Sequence, residues 1–246
     1  MKQRLDQLLV ERGLARTRTK AQALIMAGLV YTHEKKLDKA GQQFDDAIEL
    51  NLRGKEHPWV SRGGMKLAHA IEHFKLLVKD EVVADIGSST GGFTDVLLHH
   101  GAARVYAVDV GHGQLDVKLR NDSRVVVMEE TNARSLTHIQ IPDMLDTIVC
   151  DASFISLKKV LPAVMMLAKP NAKLIALIKP QFEVGKAIVS RGKGVVRDVA
   201  IHHAVCENIA VWLSEQGWQV QGITPSPITG PKGNVEFLIA ALKTAS

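Results

Sequence analysis

Cysteine is nearly absent: the 246 residues hold two, Cys150 and Cys206. They make neither a disulfide framework nor a CxxC metal pair, so a cytoplasmic protein with reduced thiols is expected. Long apolar runs are missing too, and none reaches the ~18 residues a membrane-spanning helix requires. The first residues, MKQRLDQLLVERG, mix acids into an amphipathic pattern. They lack a signal peptide's continuous apolar core and small-residue cleavage site. No glycine turn is followed by Gly-Lys-Ser/Thr, which excludes a P-loop. His69 and His73 share a helix face at i, i+4, but no third ligand accompanies them, so no metal site is expected. What remains is an ordinary globular composition, 46% hydrophobic and 23% charged. A chain of this length can bury one substantial core and a small accessory domain.

Charge is present but unevenly spread. Residues 1–62 hold 12 Lys/Arg against 8 Asp/Glu, a net of +4, within a chain whose formal net charge is +5. A basic appendage on a nearly neutral body fits a nucleic-acid-binding module, although inert surfaces also reach +4. Leu5, Leu8, Leu9 and Leu14 mark a short amphipathic helix broken near Gly13. A second helix begins around Thr17 or Thr19 as N-cap, carries Ala21, Leu24 and Ile25, and stops at Gly28. Extended pieces are expected at Leu29–Thr32 and Ala47–Leu50. Arg12, Arg16, Arg18 and Lys20 lie within nine residues free of acid, a cluster suited to phosphates. Arg4-Leu5-Asp6, Gly13, Arg16, Arg18, Ala21, Ile25, Gly28 and Val30 together resemble the S4-type RNA-binding motif. The resemblance departs at His33-Glu34-Lys35-Lys36, where the motif has an Asn-Gly turn.

The rest of the chain is arranged around VVADIGSSTGGFTD, residues 82–95. A buried strand, Val82 to Ala84, meets Asp85. The turn Gly87-Ser88-Ser89-Thr90-Gly91-Gly92 then feeds a helix starting at Phe93. Such a strand, glycine turn and helix offer backbone N–H groups at close approach to a cofactor. A second strand from Arg104 ends in Asp109, placed to accept hydrogen bonds from a ribose diol. The glycine pattern is D-x-G-x-x-x-G-G rather than the dinucleotide G-x-G-x-x-G, which points to S-adenosylmethionine. A third strand leads to Asn132, a candidate for reading the adenine edge. Thr147–Ala152 and Lys173–Pro180 read as further buried strands, with Asp151 and Lys179 at their C-terminal ends, where ligands of open α/β sheets sit. A lysine ending an apolar strand costs desolvation and favours an active role. Residues 185–197, with Lys186, Arg191, Lys193 and Arg197 and no acid, read as a glycine-rich, mobile loop facing RNA or as a solvated connection. Asp198 caps a helix to Gln216. Trp218–Thr224 and Val235–Leu242 flank a Pro/Gly loop, and Glu236 follows that loop.

The expected fold is a Rossmann-like sheet of seven mostly parallel strands, the last antiparallel, preceded by a small α+β module. Residues 1–53 would form that module, 54–62 a linker around Pro58 and Trp59, and 63–246 the catalytic domain. SRGGMKL, DIGSSTGGFTD, VCDASFISL, LIKPQFE and GNVEFL resemble the TlyA-type ribosomal RNA 2′-O-methyltransferases, also known as haemolysin A. That family joins an S4-type domain to an FtsJ/RrmJ-like catalytic domain. The resemblance implies a Lys-Asp-Lys-Glu tetrad at Lys66, Asp151, Lys179 and Glu236. It also implies S-adenosylmethionine held by Asp85, residues 87–93, Asp109 and Asn132. RNA contacts are expected from Arg4, Arg12, Arg16, Arg18, Lys20, Arg62, Lys186, Arg191 and Lys193. Resemblance to the family's shorter members implies a cytidine in 23S RNA of the large subunit. Lys179 would take the 2′-hydroxyl proton as a neutral amine, against a reference pKa of about 10.4, or else orient the hydroxyl. Two other readings stay open: a membrane-active haemolysin, and an RNA-binding protein that holds S-adenosylmethionine without catalysis.

Overall fold

A computed structural model of the chain describes residues 2–33, 35–52 and 57–244. It divides into two compact units, Met1–Glu56 and His57–Ser246.

The smaller unit contains β1 (Lys2–Arg4), α1 (Leu5–Glu11), α2 (Arg18–Met26), β2 (Val30–Thr32), β3 (Lys35–Lys36), β4 (Gln43–Asp45) and β5 (Asn51–Leu52). Leu5, Leu8 and Leu9 of α1 close on Ala21, Leu24 and Ile25 of α2, as helical spacing dictates. Thr17 is the N-cap of α2, its hydroxyl accepting from the Lys20 amide. Antiparallel β1–β4 and β3–β2–β5 pairs complete the unit. The strand expected at Ala47–Leu50 is absent. Asp45 accepts from the Ala47 amide at 3.0 Å and turns the chain there, so strand structure lies on either side, in β4 and β5.

The larger unit runs α3 (Gly63–Phe74), β6 (Val82–Ile86), α4 (Gly92–His99), β7 (Arg104–Val108), α5 (Val117–Arg120), β8 (Val125–Met128), β9 (Leu145–Cys150), α6 (Leu157–Val160), α7 (Pro162–Met165), β10 (Ala168–Ile178), α8 (Pro180–Glu183), α9 (Lys186–Arg191), α10 (Val199–Glu215), β11 (Trp218–Pro225) and β12 (Phe237–Lys243). The seven strands stand in the order β11-β12-β10-β9-β6-β7-β8. The pairs β10–β9, β9–β6, β6–β7 and β7–β8 are parallel, and β12 is antiparallel to both its neighbours. Alternate residues of the strands feed two separate apolar layers. Ala84, Ile86, Ile148, Leu174 and Ile178 pack on one face with α10, while Val83, Val105, Val149, Ile175 and Leu177 pack on the other with α3 and α4. Both faces are covered, which is why these strands read as unbroken apolar runs.

Residues 185–197 are not a loop throughout. Lys186–Arg191 form α9, and Val195 and Val196 are buried behind it. Asn234 ties the segment down, its side chain accepting from the Val196 amide and donating to the Gly194 carbonyl. Glycines at 185, 192 and 194 obscured the short apolar stretch between them.

Candidate active site

The glycine turn is built by close approach. Gly87 has φ +82, and a Cβ there would stand 2.9 Å from the Ala152 Cα. At Gly92 a Cβ would stand 2.8 Å from the Gly64 amide nitrogen, so α4 begins against the start of α3 only because Gly92 is bare, while Gly64 makes room for the Trp59 side chain. Ser88, Ser89, Thr90, Gly92 and Phe93 line a cavity of about 510 Å³, together with the ends of α3 and β10. Gly91 caps α4 at φ +92 and packs on Leu115 and Leu119, outside that cavity.

Asp85 sits in β6, one residue before the strand ends. It is fully buried, lines neither cavity and accepts a 2.7 Å hydrogen bond from the Thr94 hydroxyl of α4. Strand alternation is the reason: Ile86 faces the ligand side of the sheet, so Asp85 must face α4. Its other oxygen, Oδ1, has no partner. Burial pushes this carboxyl up to about 7, against the opposing pull of the Thr94 bond.

A second cavity, about 380 Å³, adjoins the turn and is walled by Gly87, Ser89, Asp109, Asn132 and the apolar Ile86 and Val110. Asp109 follows β7, and its carboxylate accepts from the Ser89 amide at 2.8 Å and the Gly111 amide at 2.7 Å. Asn132 caps a short 3₁₀ turn, its oxygen taken by the Arg134 amide.

The four tetrad candidates come together beside the first cavity, all within its lining. Lys66 stands in the first turn of α3. Asp151 and Lys179 each follow a parallel strand at its C-terminal end. Glu236 reaches the same edge because β12 runs backwards, so its N-terminal end lies there. Lys66 Nζ sits 2.8 Å from Glu236 Oε2 and 3.2 Å from Asp151 Oδ2. Lys179 Nζ sits 2.6 Å from Asp151 Oδ1 and donates to the Asp151 carbonyl at 3.1 Å and the Ser153 hydroxyl at 2.8 Å. Both lysines and Glu236 are buried, and Glu236 Oε1 has no hydrogen-bond partner among the described residues. Two cations and two carboxylates share one small space, each charge met by an opposite one.

Three contributors went unseen in the sequence. Ser153 touches Lys179 and lines both cavities. Thr94 donates to one oxygen of Asp85. Phe154 stands 90% exposed at φ +66, its ring 5.1 Å from that of Phe182. Only Phe154 left a trace, as an aromatic three residues after a strand-end acid.

The family model for FtsJ-like methyltransferases matches residues 59–243, and that for the S4 domain matches residues 3–45. TlyA of Mycobacterium tuberculosis, a 16S/23S rRNA (cytidine-2′-O)-methyltransferase, is 47% identical over 96% of this chain and 88% of its own. The chain belongs to the TlyA family. TlyA of Campylobacter jejuni, a 23S rRNA (cytidine-2′-O)-methyltransferase, is 35% identical over 80% of this chain and 76% of its own. Among solved structures, a Streptococcus thermophilus protein carrying a hemolysin name is 44% identical, with a TM-score of 0.79 over 100% of this chain and 90% of that one. The fold alone is shared with magnesium protoporphyrin IX methyltransferase from Synechocystis, at 15% identity and a TM-score of 0.52 over 74% of this chain and 82% of that one. The larger unit thus has the fold of S-adenosylmethionine-dependent methyltransferases.

In this TlyA-family chain the basic candidates have differing surroundings. Arg4 and Arg18 both bind the buried Asp6. The Arg12 guanidinium donates to the Ile48 and Asp46 carbonyls, which gives it a structural task. Arg16 and Lys20 are exposed on the smaller unit. On the larger unit, Arg62 is exposed at the rim of the first cavity, and Lys193 is exposed behind α9. The side chains of Lys186 and Arg191 lie outside those described.

Proposed function

We propose that this protein methylates the 2′-hydroxyl of a cytidine ribose in ribosomal RNA, with 23S RNA of the large subunit as the target. The observation that carries the reading is the meeting of Lys66, Asp151, Lys179 and Glu236 beside the glycine turn. Both TlyA relatives are named for rRNA cytidine-2′-O-methylation, and 23S RNA is the substrate common to the two names. An S4 domain adds an RNA-binding partner to the same chain.

The residues present fit S-adenosylmethionine. Gly87 lets the turn close on the Ala152 backbone beside both cavities, and Asp109 stands at the wall of the second cavity with both oxygens oriented by backbone amides, ready for a ribose diol. Apolar Ile86 and Val110 flank the second cavity as an adenine would require. When bound, S-adenosylmethionine supplies a sulfonium methyl.

A 2′-hydroxyl is a weak nucleophile whose proton must leave as its oxygen bonds to the incoming carbon. Lys179 Nζ, with three oxygens within 3.1 Å, is arranged as a donating ammonium. The donor now spent on the Ser153 hydroxyl would turn to the substrate hydroxyl oxygen and stabilise its growing negative charge while the proton passes to solvent. Asp151 fixes Lys179, and Lys66 fixes Asp151 against Glu236, so the group is set before substrate arrives.

The test is transfer of tritiated methyl to undermethylated large subunits. Label should appear in alkali-resistant dinucleotides, since a 2′-methoxy group cannot attack the adjoining phosphate. Lys179→Ala should abolish transfer and leave S-adenosylmethionine binding intact, while Lys179→Arg, which keeps the charge but cannot act as a base, should retain measurable transfer. Undiminished transfer by Lys179→Ala would sink the tetrad. No feature carries the lytic reading: among the described residues, no helix is long and apolar enough to cross a membrane.

A further inference from the structure

Asp6 is an acid inside the most basic part of the chain, and its side chain is 0% exposed. Arg4 meets it as a fork, Nε on Oδ1 at 3.0 Å and Nη2 on Oδ2 at 3.0 Å. Arg18 Nε donates to Oδ2 at 3.1 Å, and Gln22 Nε2 donates to the same oxygen at 2.8 Å. The two arginine side chains remain 40% and 53% exposed, with most of their N–H donors unspent. Gly41 lies against the Arg4 guanidinium, where a Cβ would stand 3.2 Å from Nη1, so a bare backbone bounds Arg4 on that side.

We propose that Asp6 is a positioning residue. It holds Arg4 and Arg18 side by side as one clamp for a phosphodiester of the RNA. The proposal rests on the reading of residues 1–56 as RNA-binding. Free arginines lose side-chain entropy when they settle on a phosphate, and guanidiniums already fixed by a carboxylate have lost it beforehand. Planar forks suit phosphate oxygens, and a second fork beside the first adds geometry that lysines cannot supply. The cost is one negative charge. A surface selected for net charge alone would not keep it, nor bury it under both cations. Gln22 supplies the neutral donor that completes the carboxylate's hydrogen bonding without adding charge.

The sign of one substitution decides the matter. In the full-length protein, Asp6→Asn raises the net charge by one, so attraction governed by charge alone would tighten binding to a 23S rRNA transcript. Positioning predicts the reverse: affinity by filter binding should fall about tenfold, equal to one lost charge-assisted hydrogen bond. Arg4→Lys with Arg18→Lys keeps the charge and removes the forks. It should weaken binding comparably while S-adenosylmethionine binding in the larger unit stays unchanged. Native or tighter affinity of the Lys/Lys variant overturns the clamp whether or not Asp6→Asn folds. Arg4→Ala with Arg18→Ala separates the two ideas. If it weakens binding but a folded Asp6→Asn does not, positioning fails and RNA binding stands. If it binds as the native protein does, the RNA-binding reading itself fails at this face.

Discussion

Asp85 is where burial and chemistry pull against each other. Its carboxyl is raised to about 7 by burial, above the ordinary aspartate value of about 3.9. Between those two pH values the folded protein holds a proton that the unfolded chain has released. Folding is therefore undisturbed by this group below about pH 4, and stability declines as pH rises toward 7, where the buried carboxylate ionises. Asp85→Asn keeps an acceptor for Thr94 and cannot ionise. Urea unfolding should show the variant gaining on the native protein from about pH 4 to about pH 7, and a pH-independent difference would mean that Asp85 does not titrate in this range. From sequence Asp85 read as a cofactor ligand because strand-end acids commonly are. Asp109, the other such acid, does face a cavity. Which face a strand residue takes depends on register, and register depends on neighbours 20 or 60 residues away.

At the scale of elements, termini with capping residues were the most legible. Asp198 was expected to cap a helix ending at Gln216, and α10 spans Val199–Glu215 with the Asp198 side chain accepting from the Ala200 amide. Asp198→Ala should lower stability by about 1 kcal/mol, read as a shift in denaturation midpoint without a change in slope. Strands β6 to β9 of the parallel sheet were legible within about two residues, since burial on both faces makes them largely apolar, while β10 begins at Ala168, ahead of the expected Lys173. The small strands of residues 1–56 were not. There an Asx turn at Asp45 outweighed the extended propensity of Ala47–Leu50. Segment 185–197 was misread for a related reason: its glycines announce a loop, while the order comes from Asn234, some forty residues onward.

At the scale of the whole molecule, two units with separate cores should respond to different ligands. S-adenosylmethionine at a hundred times its Kd should stabilise the unit that binds it by about 2.7 kcal/mol. Differential scanning calorimetry should show the transition of residues 57–246 rising with this ligand while that of the smaller unit stays in place. Joint movement of both transitions would show that the units fold as one. RNA should act on the smaller unit, where most of the formal net charge of +5 resides.

The residues themselves determined what is local: a strand turning through glycines into a helix, acids and a lysine at strand ends, caps, and a basic first quarter. These follow from φ/ψ freedom, side-chain period and charge, none of which needs a distant partner. Tertiary structure alone decided the rest. It placed the antiparallel β12 between β10 and β11, which brings Glu236 within 2.8 Å of a lysine 170 residues earlier in the chain. It buried Asp85 against Thr94 of α4, and it set a buried carboxylate beneath two of the arginines counted as free charge. Each of these is a matter of pairing across long loops, and burial and neutralisation are properties of the folded surface rather than of any stretch of chain.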